Sequence, residues 1–153
     1  MKIKNLRSAI AASLLIWCLT VAAQEKGNWR AASSTARTIT GDISLSDEKI
    51  SISFSGFTMA RVRSLEKAEM SAVFDADSNA EGSGSLYRLS IPASKKFLHH
   101  NSLCGAEDTQ WMVTYVSDRS LQLAFFSGQK APLLTLDAIA NSTDLCGTFS
   151  YIK

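Results

Sequence analysis

Residues 111–126 read WMVTYVSDRSLQLAFF, and this stretch decides the fold. Trp111, Val113 and Tyr115 recur at every second position toward Val116, Ser117-Asp118-Arg119 supplies a polar turn, and Leu121, Leu123 and Phe125 resume the same spacing. An extended chain sends successive side chains to opposite faces, so a period of two predicts strands. Two such runs around a short polar turn predict an antiparallel hairpin.

The same period continues outward in both directions. Ile50, Ile52 and Phe54 alternate with Ser51, Ser53 and Ser55, which predicts a half-buried strand with the phenylalanine among its apolar positions, and residues 41–45 precede it across the polar turn Ser46-Asp47-Glu48. Residues 57–65 alternate again. The Leu, Glu, Lys and Ala of residues 64–70 suit a helical turn equally well, before alternation resumes at 71–74. Residues 75–85 are polar and contain glycine, which predicts an exposed loop; residues 86–91 form the next strand and Pro92 ends it. Beyond the central hairpin, Phe126-Ser127-Gly128 closes the strand and Pro132 begins a short run. The Thr135 hydroxyl is placed to cap a helical turn over 135–140, and residues 148–152 make the last strand. Eight or nine short strands with almost no helix predict an all-β fold, apolar inside and polar outside. A small antiparallel β-barrel is favoured over a β-sandwich because closure removes exposed strand edges.

The chain has 153 residues, 46% hydrophobic and 20% charged, a globular composition too apolar for disorder. Lys2, Lys4 and Arg7 precede an apolar run over residues 10–23 that ends in Val21-Ala22-Ala23. This order of charge, apolar run and small residues predicts a signal peptide over residues 1–23, cleaved before Gln24, and a single β domain over 24–153 in the periplasm or outside the cell. The apolar run is shorter than the ~20 residues needed to span a bilayer, so no transmembrane anchor is expected. Trp17 stands where a lipoprotein acylation site needs a small residue before Cys18. Losing the leader removes three of the 16 basic residues and none of the 14 acidic ones, so the remainder carries one net negative charge. No basic field for nucleic acid is left.

Cleavage also removes Cys18, leaving Cys104 and Cys146, each inside a Leu-Cys-Gly tripeptide preceded by an Asn-Ser pair. Two cysteines in an oxidising compartment predict one disulfide, worth on the order of 4 kcal/mol for a loop this long. Two distant thiols without a Cys-x-x-Cys pair make a poor zinc site.

Two short motifs resemble known families. Gly27-Asn28-Trp29 is similar to the G-x-W start of lipocalin-like barrels, and that resemblance implies a tryptophan plugging the closed end. Ser83-Gly84-Ser85-Leu86-Tyr87 resembles the S-G-x-x-Y loop of bacterial inhibitors of c-type lysozyme, which are small periplasmic barrels. It implies a loop inserted into an enzyme's cleft, with the Ser83 hydroxyl reaching a catalytic carboxylate, Gly84 kinking the loop and Tyr87 anchoring its base. The cysteines are not placed as in that family, and its lysine partner is matched only loosely, by Lys95 or Lys96.

A reaction centre is not legible. Asp75-x-Asp77-x-Asn79 opens like a calcium loop, but Ala80 stands where the turn glycine belongs and Leu86 where a bidentate carboxylate closes the shell. His99 and His100 are adjacent and point to opposite sides of an extended segment. There is no G-x-S-x-G elbow. Asp75 with Asp77, Glu107 with Asp108, and Asp144 are candidate carboxylates for glycosidic chemistry, which depends on a carboxyl separation that sequence does not show. Asn141-Ser142-Thr143 matches the N-glycosylation acceptor, read only in a host with that pathway. The expectation is therefore a non-catalytic binding protein with no cofactor and no metal, gripping a small ligand or a secreted protein through residues 75–85, 101–108 and 141–147. Ser83, Gly84, Tyr87, Asn101, Asp108 and Asp144 are the candidate contacts. Inhibition of a secreted hydrolase and carbohydrate-active catalysis are the alternatives.

Overall fold

The computed structural model describes residues 24–77, 79 and 81–153. The predicted leader and its cleavage site at residue 23 fall outside the described residues. Eight antiparallel strands close into a barrel in chain order, so the expected barrel, and not a sandwich, is the fold. The strands are β1 (Gly27–Ala31), β2 (Ile43–Leu45), β3 (Lys49–Ile52), β4 (Ser55–Ser64), β5 (Ser83–Ile91), β6 (Thr109–Ser117), β7 (Ser120–Phe126) and β8 (Leu145–Ile152). Closure rests on a short seam, where Arg30 pairs with Ile152 and Ala31 with Tyr151.

The central hairpin forms as expected, but its two apolar runs face opposite ways. Ser117 pairs with Ser120, so Asp118 and Arg119 make a two-residue turn and every odd-numbered residue of β6 lies opposite an even-numbered residue of β7. Met112 faces Phe125 and Thr114 faces Leu123 inside the barrel, whereas Val113 faces Ala124 and Trp111 faces Phe126 on the outer wall. The outer set is not wet. Helix α2 (Lys67–Phe74) brings Met70 and Val73 down over Val113, Tyr115 and Phe126, and Leu134 covers them from the other side. The expectation of one polar outer face is thus corrected for β5–β7, which are buried on both faces.

Among the described residues three helices follow β1, besides a 3-10 turn at Leu98–His100. Helix α1 (Ser34–Ile39) begins at Ser33, whose hydroxyl accepts from the Ala36 amide at 3.1 Å. Helix α2 takes in residues 71–74, where alternation had suggested a strand. Its start is fixed by Glu69, which accepts from the Glu66 amide at 2.9 Å and holds Arg63 through two bonds of 2.7 and 2.8 Å. Helix α3 (Leu136–Ala140) is the expected helical turn, with the Thr135 hydroxyl accepting from the Ala138 amide.

Both ends of the barrel are stoppered. At the end where β1 starts and β8 finishes, Trp29 is buried, and the Lys153 ammonium sits 4.5 Å over its ring while donating to the carbonyls of Gln24 and Lys26. At the other end, residues 92–108 fold Phe97 and Leu103 into the mouth, and Phe97 meets Phe57 edge to face. The predicted disulfide is there: Cys104 and Cys146, 42 residues apart, tie this segment to the start of β8.

Candidate functional site

The sequence candidates separate to opposite ends of β5. Ser83 and Gly84 start the strand and Tyr87 lies in its middle, while Asn101, Asp108 and Asp144 belong to segments at the disulfide end. The first three do not form a projecting loop. A Cβ added to Gly84 would lie 2.3 Å from the Thr114 carbonyl, so the glycine is required by the close approach of β6. The Ser83 hydroxyl is buried and finds no partner among the described residues. Tyr87 points into the barrel and donates to the Glu25 carboxylate at 2.7 Å. The other three brace loops: Asn101 accepts from the Phe97 amide at 2.7 Å, Asp108 from the Ala93 amide at 2.8 Å, and the Asp144 carbonyl from the Ser127 amide at 2.9 Å.

Glu25 was not anticipated. Its side chain is buried, with one carboxylate oxygen accepting from Tyr87 and the other from the Thr114 hydroxyl, both at 2.7 Å, while its carbonyl accepts from the Trp29 indole at 2.8 Å. Burial, reinforced by the adjoining Glu25 carboxylate, holds the Tyr87 phenol well above its ordinary range. Burial does the same to Tyr151, whose hydroxyl pairs with Thr40. Glu25, Tyr87 and Thr114 thus form a buried hydrogen-bonded stopper. No group of three or more His, Cys, Asp or Glu side chains is placed to hold a metal ion among the described residues. No helix among them is long and apolar enough to cross a membrane.

An open groove lies elsewhere on the surface. The outer face of β1, β2 and β3 carries the cross-strand row Asn28, Ser44 and Ser51, small polar side chains that leave the wall low. Arg30, residues 40–42, Ser53, Phe54 and Leu98 stand around this row and enclose an open groove of about 640 Å³. Phe54 corrects the sequence reading. Its alternation with the serines predicted burial, yet it is 107% exposed, at the apex of the two-residue turn that joins β3 to β4. Ser53 and Phe54 both have positive φ, 47° and 66°, a geometry that hairpins usually reserve for Asn-Gly and that is strained for a phenylalanine. The other rim is strained too: Leu98 is followed by His99 and His100, with φ of 54° and 59°. The signal available in the sequence was the surround Ser53-Phe54-Ser55-Gly56, small polar residues and a glycine of the kind that turns favour.

No family model matches this chain, and neither a curated protein nor a solved structure does.

Proposed function

We propose that the protein is an exported, non-catalytic binding protein that engages a protein partner at the groove between Phe54 and Leu98. The observation that carries this reading is Phe54. A bulky left-handed residue costs on the order of 1–2 kcal/mol in strain, and leaving a phenyl ring in water forgoes roughly another 2 kcal/mol of burial. The Ser53 hydroxyl anchors the turn by donating to the Thr40 carbonyl at 3.0 Å, but the Phe54 ring gains no burial from it, and strain of this kind concentrates at sites of function. The interior is filled by Trp29, Met112, Phe125, Phe149 and their neighbours, which argues for contact from outside over a small ligand within. A ring standing clear of the surface needs a partner that surrounds it, and that is a pocket on another protein. The leader pattern and the Cys104–Cys146 bridge support export to the periplasm or beyond.

The test is a photoreactive phenylalanine analogue at position 54 in the exported protein. It should trap one partner in the native compartment, while the same group at Asp118, in the turn at the opposite end of the barrel, traps none. Equal trapping at both positions, or none at either, would defeat the proposal.

Inhibition of a secreted hydrolase is a special case of this reading, and lysozyme is its test enzyme because of the S-G-x-x-Y likeness. With Ser83 packed in β5, an inserting element has to be the Ser53-Phe54 turn. Phe54→Ala should then abolish inhibition while Ser83→Ala leaves it; absence of inhibition by the intact protein at micromolar excess closes this branch.

A further inference from the structure

We infer that the occupant of the groove is an acidic polypeptide segment carrying an apolar side chain, a conclusion that rests on the groove being the binding site. The argument begins with charge. With residues 24–153 one unit negative overall, a run of cations is a local feature and not a property of the chain. Arg30 lines the groove itself. Helix α1, with Arg37 in its last turn, packs against the Leu98–His100 turn, and Lys95 and Lys96 lie within three residues of Leu98 on the same segment. None of these four cations makes a salt bridge among the described residues. The one acidic residue lining the groove, Asp42, already spends a carboxylate oxygen on the Ala31 amide at 2.9 Å. Of the acidic residues at this end of the barrel, Asp137 and Asp144 belong to the segment that leads into β8, whereas Glu107 and Asp108 share the segment of Lys95 and Lys96, with Asp108 accepting from the Ala93 amide at 2.8 Å, so that two acids stand against the four cations there besides Asp42. The bond to Ala31 leaves the Asp42 charge in place, so Asp42 offsets Arg30 within the groove, and the excess of positive charge comes from Arg37, Lys95 and Lys96 on the segments beside it, where it attracts a negative partner and steers its approach.

Shape then separates two kinds of anionic partner. A lipid surface is flat and is met by several apolar side chains that project together. Here Phe54 and Leu98 are the exposed apolar side chains at the groove and the surface between them is concave, while the exposed Leu133 and Leu136 belong to the segment between β7 and β8 and do not line it. The floor matches a peptide. Asn28, Ser44 and Ser51 run across three strands, and their side chains have no hydrogen-bond partner among the described residues, so donors and acceptors are free for backbone amides. Leu98 and Phe54 supply the apolar walls for one side chain of the bound segment, and Arg30 with Lys95, Lys96 and Arg37 the charge for its acidic neighbours.

Nuclear magnetic resonance titration of the exported protein tests this with three heptapeptides, each with a central phenylalanine flanked by glutamate, serine or lysine, and with vesicles of phosphatidylglycerol. The glutamate peptide should shift the amides of Gly41, Ser53 and Leu98 and bind roughly fivefold to tenfold more tightly than the serine peptide. That advantage should fade as added salt shortens the screening length. Arg30→Glu with Lys96→Glu should reverse the order, so that the lysine peptide binds best. If the groove amides respond equally to all three peptides, the inference on charge fails while the groove remains the site. Silence of the groove amides with every probe removes the site and the inference together. A response to the vesicles without one to the glutamate peptide makes the partner a lipid surface and overturns the inference.

Discussion

The wall of this barrel is thick on one side and thin on the other. Strands β5, β6 and β7 are long and buried on both faces, with the barrel interior behind them and Met70, Val73 and Leu134 in front. Strands β1, β2 and β3 span three to five residues each and bury only their inner face, leaving Asn28, Ser44 and Ser51 outside. Apolar burial contributes roughly 25 cal/mol per Å², so the double-faced half holds more stability per strand and acts as the scaffold. The single-faced half has an outer surface that the fold does not use, and the groove, the strained turn and the exposed phenylalanine are all found there. Binding surfaces are commonly placed on such regions, because a change there does not endanger the core.

The largest expected effect tests whether the thick half is what it looks like. Phe126 lies on the outer face of β7 and is as fully buried as Phe125 on the inner face. Phe126→Ala should therefore cost about 3–5 kcal/mol in urea denaturation, the same range as Phe125→Ala, whereas Ser44→Ala and Ser51→Ala should each stay within about 0.5 kcal/mol. A loss below about 1 kcal/mol for Phe126→Ala would show that α2 and α3 lie loosely on the sheet, and the distinction between the halves would go with it.

A smaller effect is expected at the stopper. Glu25→Ala leaves the hydroxyls of Tyr87 and Thr114 buried without their acceptor, which should lower stability by roughly 2–3 kcal/mol. Coupling with Tyr87→Phe in a double-mutant cycle separates this network from simple loss of packing. Additive losses would mean that the carboxylate does not hold the tyrosine.

Alkaline titration sharpens the same comparison. Tyr87 and Tyr151 both have folded-state ionisation shifted upward by burial, so the native barrel favours the neutral phenol. Their contribution is complete below the ordinary tyrosine value of about 10 and is lost as pH rises through the shifted range. Stability should therefore hold from neutrality to about pH 10 and fall beyond it, with the phenolate absorbance of these two residues appearing only as the barrel unfolds. Reversible ionisation of both near pH 10 in the intact fold would mean that the interior admits water.

What the sequence made legible follows from these contrasts. The hairpin over 111–126 was readable because a period of two survives any arrangement of neighbours. The direction of its faces was readable too, had the parity been followed: across a two-residue turn, odd positions meet even ones. Met112, Val116, Ala124 and Phe126 fill the gaps between the alternating residues, and such a near-continuous apolar run is what a strand buried on both faces looks like. The disulfide was legible because Cys104 and Cys146 are the two cysteines beyond residue 23. Glu25 was not, since a carboxylate between Gln24 and Lys26 reads as exposed until Tyr87 and Thr114, 62 and 89 residues away, are folded over it. The groove was not legible either. It is assembled from β1, residues 40–42, the β3–β4 turn and Leu98, none of which carries a motif of its own.

The last prediction concerns Phe54 and has a small effect of unusual sign. Replacing Ser53-Phe54 with Asn-Gly, by Ser53→Asn with Phe54→Gly, gives the turn the residues that accept two positive φ values. Relief of left-handed strain in the folded state outweighs the extra freedom that glycine brings to the unfolded chain, so stability should rise by about 1 kcal/mol. Most substitutions in a settled fold destabilise it, and a gain here identifies a position held away from its stability optimum. The same double variant should lose the photo-trapped or peptide partner, because the apolar anchor is gone. A more stable protein that binds less well ties the strain to function. If the variant is less stable, the Phe54 ring is packing on the groove wall instead of standing free, and the thin half of the barrel is better finished than its exposed surface suggests.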